Sequence, residues 1–238
     1  ININYADNNE IQNSVLKYMS YKLSKKVDIL RNKKRFLIEK KNKQKITQYE
    51  DYTHKNYSDK VFIEGYFESD KYFKDYKVEI NNQFQIKNIN NNDLFLDPKT
   101  LLNEDSISIA VRQNRYDEKN SSYSNKIKSQ QFLKKTIDHI FKVSEFSKSR
   151  LSNPKFYVFS NNTNGLKNFF DQDTFTIINH TKNKPINDFY LSTLCKHFIV
   201  GPTTFHWWSA YLSKNKNKIC IKPSLETNSS SNIDIYPN

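Results

Sequence analysis

The residues best suited to chemistry in this 238-residue sequence follow short apolar segments, and the first of them is an arginine. Arg112 ends the segment at 106–112 and is one of only five arginines in the chain. A guanidinium group can hold two phosphate oxygens in a fixed fork, which an ammonium group cannot do. An arginine at the end of a strand can equally cap helix carbonyls or pair with a carboxylate. The spacing alone leaves both interpretations of Arg112 open.

A second polar group, formed by Ser160, Asn161 and Asn162, follows the apolar segment at 156–159. Short polar side chains at such a place suit a contact to a ribose or a base. They are also typical of an ordinary turn between a strand and a helix, which is the interpretation that the spacing favours.

The most unusual segment, 195–212, joins a short strand, a Gly-Pro turn and a Thr-Thr pair that begins a helix. Free backbone N–H groups at a helix start, beside the hydroxyls of Thr203 and Thr204, are typical of a phosphate site. Trp207 and Trp208 follow, and neighbours on a helix diverge by about 100°. We therefore expect one tryptophan to pack on the sheet and the other to border the ligand.

The sequence does not favour a metal site. Asp171-Gln-Asp173 matches the D-x-D string by which some sugar-nucleotide enzymes hold a divalent ion, but no apolar strand precedes it. The five histidines and two cysteines show no metal-ligand spacing, and His197 is interpreted as a core histidine. Three glycines in the whole chain exclude a Walker loop and a G-x-G-x-x-G fingerprint.

The elements that position these residues alternate between strand and helix in the second half of the chain. The pattern predicts strands at 106–112, 156–160, 175–179, 197–200 and 218–221, and helices at 126–146, 166–170, 185–195 and 203–212. Repeated β-α-β units predict an α/β fold with a parallel sheet covered on both faces. Ligands of such sheets bind at the carboxyl ends of the strands, where Arg112, Ser160 and Thr203 are expected.

The first half has a weaker pattern. An apolar stripe predicts that residues 1–47 are mostly helical, residues 61–67 form a strand, and Ser69 caps a following helix. The Asn-rich stretch at 81–98 is the expected hinge.

The amino-acid composition limits which kinds of partner the protein is expected to bind. The net charge is +13, but 33 of the 38 basic residues are lysines, which disfavours nucleic-acid binding and indicates a solvated lysine surface. Binding of the lysine clusters at 25–45 to anionic lipids is the alternative. No apolar run is long enough to span a bilayer, and two cysteines cannot make a disulfide scaffold. We expect a cytoplasmic protein.

Three of these segments, in this order, resemble the donor-site motifs of the bacterial α-1,2-fucosyltransferases of glycosyltransferase family eleven. The motif H-x-R-R-G-D-Y corresponds to 110–116, F-x-F-S-D-D roughly to 156–162, and C-x-H-x-I-x-A-N-S-T-F-S-W-W-G-A-Y-L aligns without gaps with 195–212. Residues 65–73 are similar to the segment G-Y-W-Q-S-E-K-Y-F, and 234–237 to the family's C-terminal end.

The resemblance implies a GT-B-like fold of two Rossmann-like halves: an acceptor-side half at 1–98, which lacks its first strand, and a GDP-fucose-binding domain at 99–238. It implies an inverting transfer of fucose from GDP-fucose to the 2-hydroxyl of a galactose-type acceptor, in the synthesis of surface polysaccharide such as O-antigen or capsule. It implies no cofactor and no obligatory metal. The acceptor would be a galactose-containing glycan or a lipid-linked oligosaccharide, which is compatible with peripheral association at the inner face of the membrane.

The resemblance also implies roles for single residues. Arg112 would contact the pyrophosphate and act in catalysis, and the remaining donor-binding set would be Asn114, Ser160, Asn161, Thr203, Thr204 and Phe205.

The first motif is altered in this chain. Its His, second Arg, Gly and Asp are replaced by Ala110, Gln113, Asn114 and Arg115. The acidic group that would activate the acceptor hydroxyl is thus missing there, and Asp117 is the candidate base, with Glu118 and Glu68 as alternatives. The family's G-G-L-G-N-Q segment is also missing, and since the chain starts at Ile1 we expect a truncation. A related glycosyltransferase with another donor and a non-catalytic sugar-nucleotide or polysaccharide binder are the alternative functions.

Overall fold

The computed structural model describes six stretches of the chain: 18–40, 49–67, 69–114, 120–178, 184–201 and 203–221. These stretches form two compact units, which divide between Phe84 and Gln85. The assignment of two functional domains with a boundary at 98/99 stays a prediction.

In its described residues, the N-terminal unit contains two α-helices and a pair of parallel strands: α1 (Tyr18–Asp28), β1 (Lys34–Ile38), β2 (Tyr57–Glu64) and α2 (Lys77–Gln83). The carboxylate of Asp28 accepts hydrogen bonds from the backbone N–H groups of Arg35 (2.9 Å) and Phe36 (3.2 Å), so it joins the end of α1 to β1. The expectation of a mostly helical start is wrong at 34–38. There Phe36 stacks on Phe62 of β2, with ring centroids 5.2 Å apart, because pairing with a distant strand decides the conformation.

The residues after β2 agree better with the prediction made from the sequence. The side-chain oxygen of Ser69 accepts a hydrogen bond from the Lys71 N–H at 3.3 Å, which confirms the expected cap. The capped element is only a 3₁₀ turn, Asp70–Tyr72, rather than a longer helix.

The C-terminal unit is built on a five-stranded parallel sheet in the order β5-β4-β3-β6-β7. Its elements are α3 (Pro98–Asn103), β3 (Asp105–Val111), α4 (Tyr123–Arg150), β4 (Pro154–Ser160), β5 (Phe175–Ile177), α5 (Pro185–Leu194), β6 (His197–Ile199), α6 (Thr204–Leu212) and β7 (Cys220–Ile221). The α/β class and the parallel sheet are therefore confirmed, while the GT-B-like arrangement of two halves stays a prediction.

The central strand β3 explains how the helices cover the sheet. Its side chains alternate between the two faces. Ile107, Ile109 and Val111 belong to the main hydrophobic core, together with buried isoleucines of α4. The hydroxyl of Ser108 points the other way and lies 2.9 Å from the hydroxyl of Ser192 in α5. Helices α4 and α5 thus contact opposite faces of the sheet.

The strand register brings the carboxyl ends of β3, β4 and β6 together. Val111 at the end of β3 pairs with Ser160 at the end of β4, and Ile109 pairs with Ile199 at the end of β6. The residues that follow these three ends are the polar segments singled out from the sequence.

His197 in β6 is a core histidine, as predicted. It is buried, and its Nδ1 accepts a hydrogen bond from the Ile219 N–H at 3.1 Å. Burial lowers the pKa of its imidazole, so the ring stays neutral.

Candidate functional site

A cleft of about 310 Å³ opens at the carboxyl ends of β3 and β4, beside the N-termini of α5 and α6. Its lining includes six of the seven residues that the sequence assigned to the donor: Arg112, Ser160, Asn161, Thr203, Thr204 and Phe205. The seventh, Asn114, is not among the lining residues but contacts Asn161. The register of the parallel sheet thus brings three distant sequence segments to one cleft.

The start of α6 forms one wall of the cleft. Thr203 is the N-cap residue, and its hydroxyl oxygen lies 3.5 Å from the His206 N–H and 3.0 Å from Nδ1 of the same residue. The Thr203 hydroxyl is therefore engaged within the helix cap, whereas Thr204 is exposed and lines the cleft. The N-terminus of this helix adds a partial positive charge at the cleft.

His206 is a cleft residue that the sequence reasoning missed. It is buried, and burial first and the positive charge of Arg112 second lower its pKa to about 3. Its imidazole is therefore neutral at physiological pH. The signal was present in the sequence, since a residue three positions after an N-cap threonine lies within reach of the cap hydroxyl.

Asp188 is the second residue that the sequence reasoning missed. It lies in the first turn of α5, is only 5% exposed, and lines the cleft. The sequence did carry a signal for it: this acidic residue lies within the apolar pattern of a helix that starts near the carboxyl edge of the sheet. The cleft thus contains a carboxylate as well as the cationic Arg112.

Side-chain amides join the two loops that follow β3 and β4. The N–H of Gln113 donates to Oδ1 of Asn161 at 3.3 Å, and Nδ2 of Asn161 donates to Oδ1 of Asn114. Nε2 of Gln113 donates to the carbonyl oxygens of Asn162 and, at 3.1 Å, Asn164. We call Gln113, Asn114 and Asn161 the amide clamp, because they fix the second loop against the first.

The aromatic side chains of α6 differ in whether they line the cleft. Trp207 is buried and stacks on Tyr211 with ring centroids 5.0 Å apart, while Trp208 meets Tyr211 nearly perpendicularly at 5.5 Å. Neither tryptophan is among the lining residues of this cleft, and the expectation that one borders the ligand stays a prediction. The predicted donor residue Phe205 does line the cleft, and its ring centroid lies 5.0 Å from that of Phe189.

Several predicted site residues lie outside the described stretches. They are the candidate base Asp117 and its alternatives Glu118 and Glu68, and Arg115, which replaces the motif's Asp, also lies outside these stretches. The D-x-D aspartate Asp171 is described: its carboxylate accepts hydrogen bonds from the N–H groups of Asp173 (3.1 Å) and Thr174 (3.2 Å) in the turn before β5. A hydrogen bond from the Thr174 side chain is the largest cause that lowers the pKa of Asp171, and the backbone N–H of Asp173 lowers it further.

Within the six stretches, no three or more His, Cys, Asp or Glu side chains are grouped so that they could hold a metal ion. In the same part of the chain, no helix is both long and apolar enough to cross a bilayer.

Comparison with known proteins agrees with the site. The model of glycosyl transferase family 11 matches residues 9–235. No curated protein and no solved structure matches the chain. The match covers nearly the whole chain and all three segments that meet at the cleft, and it confirms the family that the motifs resemble. The chain belongs to glycosyl transferase family 11 and is therefore a glycosyltransferase, with a sugar-nucleotide donor and a glycan acceptor.

Proposed function

We propose that this protein is an inverting α-1,2-fucosyltransferase with a GT-B-like arrangement of two halves. It transfers fucose from GDP-fucose to the 2-hydroxyl of a galactose-type acceptor during the synthesis of a bacterial surface polysaccharide. The observation that carries the proposal is the meeting of the three motif segments at one cleft, with Arg112 and the N-terminus of α6 on its walls. A lipid-linked acceptor would place the protein in the cytoplasm, at the inner face of the membrane.

The proposed reaction exchanges one bond for another at the anomeric carbon of fucose. The acceptor 2-hydroxyl oxygen attacks this carbon from the face opposite GDP, and the bond to the β-phosphate oxygen breaks. GDP leaves with the bonding electrons, and a base takes the hydroxyl proton. Asp117 remains our candidate base.

Departure of GDP requires positive charge at the diphosphate. Arg112 supplies a full charge and the N-terminus of α6 a partial one, both directed at the same cleft. Removing one such stabilising group from a closed site typically costs about 3 kcal/mol in the transition state. We therefore propose a transfer that depends on these groups and on no cofactor or bound metal.

Calorimetric titration with GDP, GDP-fucose, UDP and UDP-galactose tests the donor. We expect guanosine ligands to bind preferentially, and Arg112→Ala to weaken their binding by at least about tenfold, since a charge-assisted hydrogen bond contributes about 1.5–3 kcal/mol. Arg150→Ala, at the exposed end of α4, is the matched control and should bind as the wild type does.

Turnover separates the remaining alternatives. Release of GDP in the presence of β-galactosides should accompany binding in the wild type and disappear in Arg112→Ala. Preference for uridine ligands would overturn the fucose assignment in favour of a related glycosyltransferase with another donor. Guanosine binding without turnover on any galactoside would favour a non-catalytic binder.

A further inference from the structure

The ring of His206 occupies space that two small neighbours leave open. A Cβ atom at Gly201 would lie 3.2 Å from Nδ1 of His206, 3.2 Å from the Ala110 Cβ and 3.3 Å from the Ala110 carbonyl oxygen. These distances are shorter than ordinary van der Waals contact, so a larger residue at position 201 would push against both neighbours. Gly201 therefore adjoins both the imidazole of His206 and Ala110 near the end of β3.

The surroundings of His206 leave one ring nitrogen for a ligand. Nδ1 is engaged by the Thr203 hydroxyl at 3.0 Å, and the residue lines the cleft beside Arg112. A neutral imidazole carries one donor and one acceptor nitrogen, so Nε2 is the atom through which the ring can bind a ligand. Because the ring is neutral, it adds a hydrogen bond without repelling the Arg112 guanidinium.

Three residues in this region differ from the family motifs. The motifs have His at position 110, Ala at 201 and Ser at 206, whereas this chain has Ala110, Gly201 and His206. Two of these residues are smaller than those of the motifs and the third is a histidine, and Gly201 adjoins the other two. Compared with the motifs, this chain lacks an imidazole at position 110 and has one in α6, next to Gly201.

We infer that His206 is a donor-contacting residue, which supplies from α6 the imidazole that the motif supplies from position 110. The inference rests on the proposed function, because it assumes that the cleft binds a nucleoside diphosphate. It assigns to the His206 side chain a contact with the ligand, in addition to its contact with the Thr203 hydroxyl in the helix cap.

Two isosteric variants separate the ligand contact from the cap. In His206→Asn the amide reaches the place of Nδ1 and keeps the Thr203 contact, but nothing replaces Nε2. In His206→Gln the amide reaches the place of Nε2. We expect the Asn variant to weaken GDP binding about tenfold, the effect of one lost hydrogen bond, and the Gln variant to stay within about threefold of wild type.

A rescue experiment tests whether His206 takes the place of the motif's histidine at position 110. Ala110→His alone should weaken GDP binding, because its ring would enter space occupied by Gly201 and His206. Combined with His206→Ser, the same substitution should restore binding to within about threefold of wild type. His139→Ser, on the half-buried face of α4 and away from the cleft, is the control and should leave GDP affinity unchanged. Tryptophan fluorescence and circular dichroism verify that each variant is folded.

The outcomes distinguish this inference from the proposed function. Guanosine binding by the wild type with full affinity in His206→Asn would overturn the inference and leave the proposed function intact. Preference of the wild type for UDP would overturn the fucose assignment, and weakened UDP binding in His206→Asn would still support the His206 contact. Absence of binding to all four nucleotides would overturn both.

Discussion

Lowering the pH from 7.5 to 5.0 should destabilise the C-terminal unit through His206. The pKa of this imidazole is about 3 in the folded protein, because it is buried and lies near Arg112, whereas an exposed histidine has a pKa of about 6.5. Above pH 6.5 neither state binds the proton, so His206 does not change the stability. Between pH 6.5 and 3 the unfolded state binds a proton that the folded state excludes, and each pH unit lowers the unfolding free energy by about 1.4 kcal/mol. At pH 5.0 the expected loss is about 2 kcal/mol, out of a typical total of about 5–15 kcal/mol.

Urea unfolding followed by tryptophan fluorescence measures this loss. Both tryptophans lie in α6 with His206, so their fluorescence reports on unfolding of the C-terminal unit. His139 and His197 also have pKa values lowered by burial, and their contribution is removed by comparing wild type with His206→Asn at both pH values. On acidification, the unfolding free energy of the wild type should fall by about 2 kcal/mol more than that of the variant. Equal losses would refute a neutral, buried His206.

Two further substitutions test the amide clamp and the opposite end of the sheet. Gln113→Glu places a carboxylate against two loop carbonyls, so donor affinity should fall about tenfold in calorimetry, while Gln130→Glu on the exposed surface of α4 should have no effect. A normal affinity in the Gln113 variant would contradict the clamp. The Tyr157 hydroxyl donates to a Glu104 carboxylate oxygen at 2.5 Å, so Tyr157→Phe should lower the unfolding free energy by about 1–2 kcal/mol in urea unfolding and leave GDP affinity unchanged. An unchanged unfolding free energy would show that this hydrogen bond contributes nothing.

The fold of the C-terminal unit could be predicted because its signals are local. Strand β3 alternates serine with β-branched isoleucine and ends in Ala-Val, and its neighbours β4 and β6 contain short runs of aromatic and β-branched residues between clear turns. Strand β1 could not be predicted in the same way. Its apolar run is short and flanked by lysines, and its conformation depends on pairing with β2, more than twenty residues later.

Part of the candidate site could likewise be predicted from the sequence, and part of it could not. Parallel register requires residues after adjacent strands to meet, so Arg112, Ser160 and Thr203 could be placed together from the sequence. Side-chain direction could not be placed, because it depends on packing between elements. The sequence therefore did not show that the Thr203 hydroxyl is used by its own cap or that Trp208 contacts Tyr211.

The departures from the first motif argue for an altered working site more than for a decayed one. A decaying site is expected to accumulate exchanges that leave gaps or polar groups without partners. Here Gln113 and Asn114 stand where the motif has Arg and Gly, and their side chains hydrogen-bond to the loop after β4. Ala110 stands where the motif has His, and Gly201, which adjoins Ala110, also adjoins the imidazole of His206. The described exchanges are therefore accompanied by new neighbours beside the cleft, which is the pattern expected when binding is retained with different contacts.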